Sequence, residues 1–266
     1  MSGQQHRARK RFGQNFLHDQ NIIGRIVNAI NPQKTDRLVE IGPGLGALTY
    51  PVLERVGELD VIELDRDIIP KLAAGAENKG ELRIHSQDAL TFDFQSLNSD
   101  DTMLKVYGNL PYNISTPLIF HLFEQADLIK EMHFMLQKEV VDRMCAEPGS
   151  KKFGRLSVMT QYYCQAVKLF DVPPICFRPA PKVMSSIVRL VPHQTKPIVA
   201  DDTEMLNQVV TTAFNYRRKT LRNALSSLLS EEQLVALDIK PELRPETLTL
   251  AQYVVISNAL SAASAD

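Results

Sequence analysis

The sequence predicts an α/β fold, a doubly wound and mostly parallel sheet followed by a smaller helical domain. Three observations predict it. Short apolar runs alternate with segments of helical period between residues 38 and 145, the first run closes on a glycine-rich turn, and beyond Pro192 the pattern is helical only. The expected domains are residues 1–192 and 193–266, with residues 192–197 as the linker.

The elements follow in order. Residues 1–11 carry Arg7, Arg9, Lys10 and Arg11 without apolar periodicity, as expected of a flexible basic arm. Phe12 to Leu17 then sets two aromatics around a glycine and two amides. Asp19 can cap a helix whose apolar positions Ile22, Ile23, Ile26, Val27 and Ile30 keep helical spacing. Strands are expected at 38–41, 59–62, 82–84, 104–106 and 133–136. Helices are expected at 47–56, 68–76, 116–125 and 139–145, the third capped by Thr116 with Pro117 in its first turn.

Such alternation means parallel strands joined by right-handed helical crossovers, with ligands bound at the carboxyl ends of the strands. A helix at 156–164 precedes two further strands, 167–172 and 186–191. Their connection, Pro173 to Pro181, holds no helix, which favours an antiparallel pair at the sheet edge. In the second domain Leu206, Val209, Val210, Ala213 and Phe214 mark one amphipathic helix, and Leu221, Ala224, Leu225, Leu228 and Leu229 mark the next.

Bulk properties exclude several classes. The 266 residues, 44% apolar and 23% charged, have the balance of a soluble chain able to bury a sizeable core. A net charge of −1 argues against indiscriminate coating of nucleic acid but leaves room for a local basic face. Cys145, Cys164 and Cys176 show neither close pairing nor metal-ligand spacing with the six histidines, so neither disulfide nor metal is expected. With no long apolar run and no apolar signal core, the expectation is a cytoplasmic protein without membrane contact.

Glu40-Ile41-Gly42-Pro43-Gly44-Leu45-Gly46 closes the first strand with Gly-x-Gly-x-Gly spacing, one residue shorter than the dinucleotide fingerprint. The compact form resembles the S-adenosylmethionine loop of methyltransferases. Glu63 ends the second strand, about twenty residues on, where a carboxylate can accept both ribose hydroxyls. Asp88 in Gln87-Asp88-Ala89 ends the third and can accept from an adenine amino group. Singly, acids at strand ends are more often solvated or capping; the signal is four successive strand ends, Asn109 closing the fourth. NAD is the rival ligand, because Glu63 suits either ribose. Hydride transfer needs a proton shuttle at the fourth strand, and Asn109-Leu110-Pro111-Tyr112 contains no His or Lys.

That tetrapeptide suits an amino-bearing base. The adenine amino lone pair is delocalised into the ring and is a poor nucleophile. Two acceptors facing the amino hydrogens, the Asn109 side-chain oxygen and the Leu110 carbonyl, would favour a pyramidal nitrogen with its lone pair on the sulfonium methyl. Pro111 fixes its φ and Tyr112 can stack on the base. The product ammonium can lose its proton to water, so Asp65 and Asp67, beside the ribose site, are not assigned as bases. The loop Phe177-Arg178-Pro179-Ala180-Pro181-Lys182 would present Phe177 to the other face of the base, with Lys182 near phosphate. It also reads as a rigid hairpin around a buried Phe.

On Phe-Gly-Gln-Asn-Phe-Leu, Glu-Ile-Gly-Pro-Gly-Leu-Gly, Val-Ile-Glu-Leu-Asp, Gln-Asp-Ala, Gly-Asn-Leu-Pro-Tyr-Asn-Ile-Ser and Phe-x-Pro-x-Pro-Lys-Val, the chain closely resembles the ribosomal RNA adenine N6,N6-dimethyltransferases. The resemblance implies a Rossmann-like class I methyltransferase sheet, S-adenosylmethionine as cofactor and no metal. It implies cofactor contacts at Asn15, Leu17, Gly42, Glu63, Asp88 and Asn109, with Gln14, Gly44, Leu64 and Ala89 assigned alongside. Asn109, Leu110, Pro111, Tyr112 and Phe177 become the catalytic set.

Within that family the match is to the bacterial small-subunit enzymes, which implies dimethylation of two adjacent adenosines in the loop of the 3'-terminal hairpin of 16S rRNA. The implied partner is the small ribosomal subunit, met by a monomer. Arg7, Arg9, Lys10, Arg11, Lys182 and the cluster Arg217, Arg218, Lys219 and Arg222 at a helix start are the expected RNA contacts. A solvated helix face is the plainer reading of that cluster. A large-subunit rRNA adenine methylase and a non-catalytic assembly factor remain as alternatives; intact Glu63, Asp88 and Asn109 argue against the latter.

Overall fold

The structure, a computed structural model, describes residues 14–97 and 102–265. Arg7, Arg9, Lys10 and Arg11 lie outside the described residues. The chain begins with β1 (Phe16–Leu17) and α1 (Gln20–Ile30). Asp19 caps α1 by accepting from Ile22 N at 3.0 Å, and all five apolar positions singled out in the sequence are buried.

Strands and helices then alternate: β2 (Arg37–Ile41), α2 (Thr49–Val56), β3 (Glu58–Ile62), α3 (Ile69–Gly75), β4 (Glu81–His85), β5 (Leu104–Asn109), α4 (Ser115–Glu124), β6 (Ile129–Gln137) and α5 (Lys138–Met144). After α6 (Arg155–Tyr163) come β7 (Cys164–Val172), β8 (Phe177–Arg178) and β9 (Ser185–Pro192). The main sheet runs in the order β4-β3-β2-β5-β6-β9-β7, with β4 through β6 parallel and β9 antiparallel to β6. Strand order therefore reverses between β2 and β5, and the crevice beyond their carboxyl ends is where such sheets bind ligands.

Two local features shape that crevice. A Cβ on Gly108 would meet Ile41 O at 2.3 Å, so only glycine lets β5 lie this close to the end of β2. Away from the main sheet, β1 pairs antiparallel with β8, Phe16 opposite Arg178 and Leu17 opposite Phe177. That pairing ties the N-terminal segment to the proline-rich loop.

Several expectations need correction. Strand β6 begins at Ile129 rather than 133; Lys130 and Glu131 interrupt the apolar pattern without ending the strand. Glu131 is nonetheless buried, held by Lys105 Nζ at 3.1 Å and Arg189 at 2.7 Å. Helix α4 starts at Ser115 with Ile114 at its N-cap, so Thr116 does not cap it. The Ser115 hydroxyl instead donates back to Tyr112 O at 3.1 Å, closing the turn that leads into the helix.

The chain divides into two compact units. One takes the described residues up to Val141 together with Val167–Pro192; the other takes Asp142–Ala166 with the residues from His193 onward. Residues 142–166 were expected in the first domain but cluster with the helical one, where α6 packs on α7 (Thr203–Asn215) and on the C-terminal helix. That unit continues through α8 (Leu221–Ala224), α9 (Glu231–Ala236) and α10 (Leu250–Ala265). The second amphipathic helix is thus a single turn, with Leu225 and Leu229 buried in the segment after it. Among the described residues no helix is long and apolar enough to cross a membrane.

Candidate active site

A cavity of about 1040 Å³ opens at the carboxyl ends of β2 to β5, and the described residues that line it all belong to the first unit. Small-molecule sites usually span about 300–1,000 Å³, so there is room for a nucleoside cofactor with a second base beside it. Its walls include Gln14 to His18, the glycine turn, Glu63, Leu64, Asp88, Ala89 and Asn109 to Ile114. Every cofactor position and four of the five catalytic positions expected from the sequence border this one space; Phe177 does not.

The glycine turn is fixed from both sides. Gly42 N donates to Ile62 O at 2.9 Å, and Gly44, at φ +55°, donates from its N to Glu63 Oε2 at 3.2 Å. A Cβ on Gly44 would press on the Phe16 ring at 3.2 Å, so bare backbone is required here. The other oxygen of Glu63 accepts from Asp65 N at 2.8 Å. Burial pushes the Glu63 carboxyl up, and the backbone donors of Asp65, Gly44 and Leu64 hold it back. A carboxylate has about four acceptor sites, so capacity is left over for a ribose hydroxyl.

Asp88 is half-buried, and its Oδ1 accepts from Leu90 N at 3.0 Å. Leu64, 49% exposed, and the buried Ala89 also line the cavity, adding apolar wall suited to a flat ring. Asp65 is buried and already accepts from Gln14 Nε2 at 3.0 Å and Asp67 N at 3.2 Å, which suits a scaffold role better than that of a base.

At the fourth strand end, Asn109 Nδ2 donates to Asn15 O at 3.0 Å. The backbone carbonyl of Asn109 lies 3.9 Å from the position a Gly42 Cβ would take, so the strand end and the glycine turn adjoin. Leu110 N donates to Met135 O at 3.2 Å, and Ile114 N donates to Pro111 O at 3.2 Å. The Tyr112 hydroxyl is 2.7 Å from Ser185 Oγ. Burial raises the phenol above its ordinary value and the serine contact opposes this, so Tyr112 is neutral at physiological pH.

Phe177 is a correction. The expected presentation of its ring to a base is not found: it is 3% exposed and packs in the core with Leu17, Ile22 and Cys176. The cause is the pairing of β8 with β1, which sets Phe177 opposite Leu17 and turns the ring inward. Arg178 and Pro179 line the cavity in its place, while Lys182 is exposed and outside the lining.

Residues 5–262 match the family described as "Ribosomal RNA adenine dimethylase". The chain belongs to the ribosomal RNA adenine dimethylase family. Curated relatives named "Ribosomal RNA small subunit methyltransferase A" include the protein of Pseudoalteromonas translucida, 59% identical over 95% of this chain and 94% of that one. The one from Marinobacter nauticus is 58% identical over 96% and 92%. A dimethyladenosine transferase from Plasmodium falciparum superposes with a TM-score of 0.78 at 25% identity, covering 91% of this chain and 95% of that one. The 23S rRNA methyltransferase ErmE shares the fold, with a TM-score of 0.72 at 22% identity over 93% and 100%.

In this family member the basic cluster of the helical unit is partly engaged. Arg217, Arg218 and Lys219 occupy the turn between α7 and α8, not the start of a helix. Arg217 donates to Lys151 O and lies 3.7 Å from Glu246, and Arg222 is 3.8 Å from Glu231. Arg218 and Lys219 are exposed.

Glu40 and Ser185 stand at the site beside the expected residues. Glu40 borders the cavity yet is 2% exposed, its Oε2 accepting from Tyr107 Oη at 3.2 Å, and burial pushes its carboxyl up to about 8. The available signal was an acid inside the apolar run Leu38-Val39-Glu40-Ile41. Nothing in the local sequence marks Ser185.

Proposed function

We propose that this chain dimethylates the N6 amino groups of two adjacent adenosines in the loop of the 3'-terminal hairpin of 16S rRNA, acting on the small ribosomal subunit. As a member of the rRNA adenine dimethylase family it is an S-adenosylmethionine-dependent rRNA methyltransferase. The small-subunit target is supported by relatives at 59% and 58% identity that carry that subunit in their names. The observation that carries the reading is that the glycine turn, Glu63, Asp88 and Asn109 border one cavity with Tyr112.

Bound S-adenosylmethionine supplies an electrophilic sulfonium methyl. Glu63 would hold the ribose hydroxyls, Asp88 the adenine amino group, and Gly42 and Gly44 would let the cofactor lie against bare backbone. Asn109 Oδ1 and the Leu110 carbonyl would accept from the target amino group and direct its lone pair away from the ring. Tyr112 would stack on the target base, which a hairpin loop can release far more cheaply than a paired stem. Positioning and oriented acceptors supply the rate enhancement, and the product proton leaves to water.

The exposed Arg218 and Lys219, with Lys182 and the arm bearing Arg7 to Arg11, are the proposed phosphate contacts. The test is transfer of labelled methyl from S-adenosylmethionine to undermethylated small subunits, followed by nucleoside analysis. N6,N6-dimethyladenosine at two adjacent loop positions is expected. Label elsewhere, or in monomethyladenosine only, would refute this assignment.

A further inference from the structure

A parallel strand delivers only its last residues to the catalytic edge of a sheet, whereas an antiparallel neighbour begins there. Strand β9 is that neighbour. Its first residue, Ser185, stands opposite Gln137, the last residue of β6, and Lys138 N donates to Met184 O at 2.9 Å. The next residue is pinned as well, Ser186 Oγ donating to Asp171 Oδ1 at 2.6 Å. Ser185 is completely buried, so its hydroxyl sits on a rigid mount.

That hydroxyl is 2.7 Å from Tyr112 Oη. The opposite end of Tyr112 is also held, since Ser115 Oγ donates to its carbonyl at 3.1 Å and Pro111 precedes it with a fixed φ. With backbone and phenol both anchored, swinging the ring about its side-chain torsions breaks the Ser185 hydrogen bond. A phenylalanine there would have the same stacking face without the hydrogen bond that sets its angle.

We propose that Ser185 is a positioning residue for methyl transfer, its hydroxyl holding the Tyr112 ring at a fixed angle beside Asn109 so that the captured adenine is stacked with its amino group in line. The inference rests on the proposed function, in which Tyr112 stacks on the target base.

The test compares Ser185→Ala, Tyr112→Phe, their double variant and Tyr112→Ala in methyl transfer to undermethylated small subunits at saturating S-adenosylmethionine, with calorimetric binding of S-adenosylhomocysteine beside it. Tyr112→Phe breaks the same hydrogen bond without touching the core, which covers a folding defect in Ser185→Ala. Each single variant is expected to lower kcat about tenfold with unchanged KM, the double no further, and Tyr112→Ala about a hundredfold, all with unchanged cofactor affinity. Wild-type kcat in Ser185→Ala and Tyr112→Phe, losses that multiply in the double, or cofactor affinity falling in step with kcat would each overturn the role of Ser185 alone. Wild-type kcat in Tyr112→Ala would overturn the stacking role of Tyr112 beneath it.

Discussion

Asn109 Nδ2 donates to the backbone carbonyl of Asn15 at 3.0 Å. This commits the amide nitrogen to the N-terminal segment and turns Oδ1 the other way, so the side chain has one defined orientation rather than two. The same segment is held by Gln14 on Asp65 and by Leu17 opposite Phe177. One short stretch therefore joins Asp65, Asn109 and the proline-rich loop.

In the proposed function Glu63 serves the cofactor with the same two oxygens that accept from Gly44 N and Asp65 N. Glu63→Ala removes acceptors for Gly44 N and Asp65 N together with the proposed diol acceptors. Cofactor affinity should fall about tenfold or more, measured by calorimetry with S-adenosylhomocysteine. Unchanged affinity would show that the diol is held elsewhere.

Phe177 is a core residue, and its replacement should behave as one. Phe177→Ala should cost about 3–5 kcal/mol of stability in urea unfolding, as for other large-to-small core changes. Activity should be lost in proportion to the folded fraction. A stable Phe177→Ala protein with low kcat would restore a direct role on the base.

Arg217 and its neighbours should separate in their effects. Arg217→Ala should lower the melting temperature, because it removes the hydrogen bond to Lys151 O and the ion pair with Glu246. Arg218→Ala and Lys219→Ala should leave melting unchanged and reduce the salt slope of small-subunit binding by about one for each phosphate no longer neutralised. Equal slopes in all variants would place RNA binding elsewhere on the protein.

Glu40 makes stability pH-dependent. Burial raises its carboxyl from 4.5 to about 8, so between those values the folded protein holds a proton that the unfolded chain has released. Its contribution is fully present below the unfolded value and is lost as pH rises through the folded one, at up to about 1.4 kcal/mol per pH unit. Wild-type stability should therefore fall relative to Glu40→Gln between about pH 5 and about pH 8. Parallel stability curves for the two proteins would contradict a neutral Glu40.

The strand-end residues were legible in sequence because a parallel sheet converts periodic strand ends into neighbours, and Gly42, Glu63, Asp88 and Asn109 all obey that period. What stayed hidden depends on pairings distant in sequence. Whether Phe177 is presented or buried is decided by its pairing with Leu17, and Ser185 meets Tyr112 across 73 positions. The first half of β6 was hidden for another reason: Glu131 looks like a strand break until Lys105 and Arg189 are seen to neutralise it. The helical unit's claim on residues 142–166 comes from α6 packing against α7 and α10, which no local pattern announces.

In the proposed function Asn109 is the group that prepares the target nitrogen for attack. The most direct measurement is single-turnover methyl transfer by Asn109→Ala on undermethylated small subunits, with subunit binding measured on the same protein. A rate about 10²–10³-fold below wild type with binding retained is the predicted result. Transfer at the wild-type rate would contradict it.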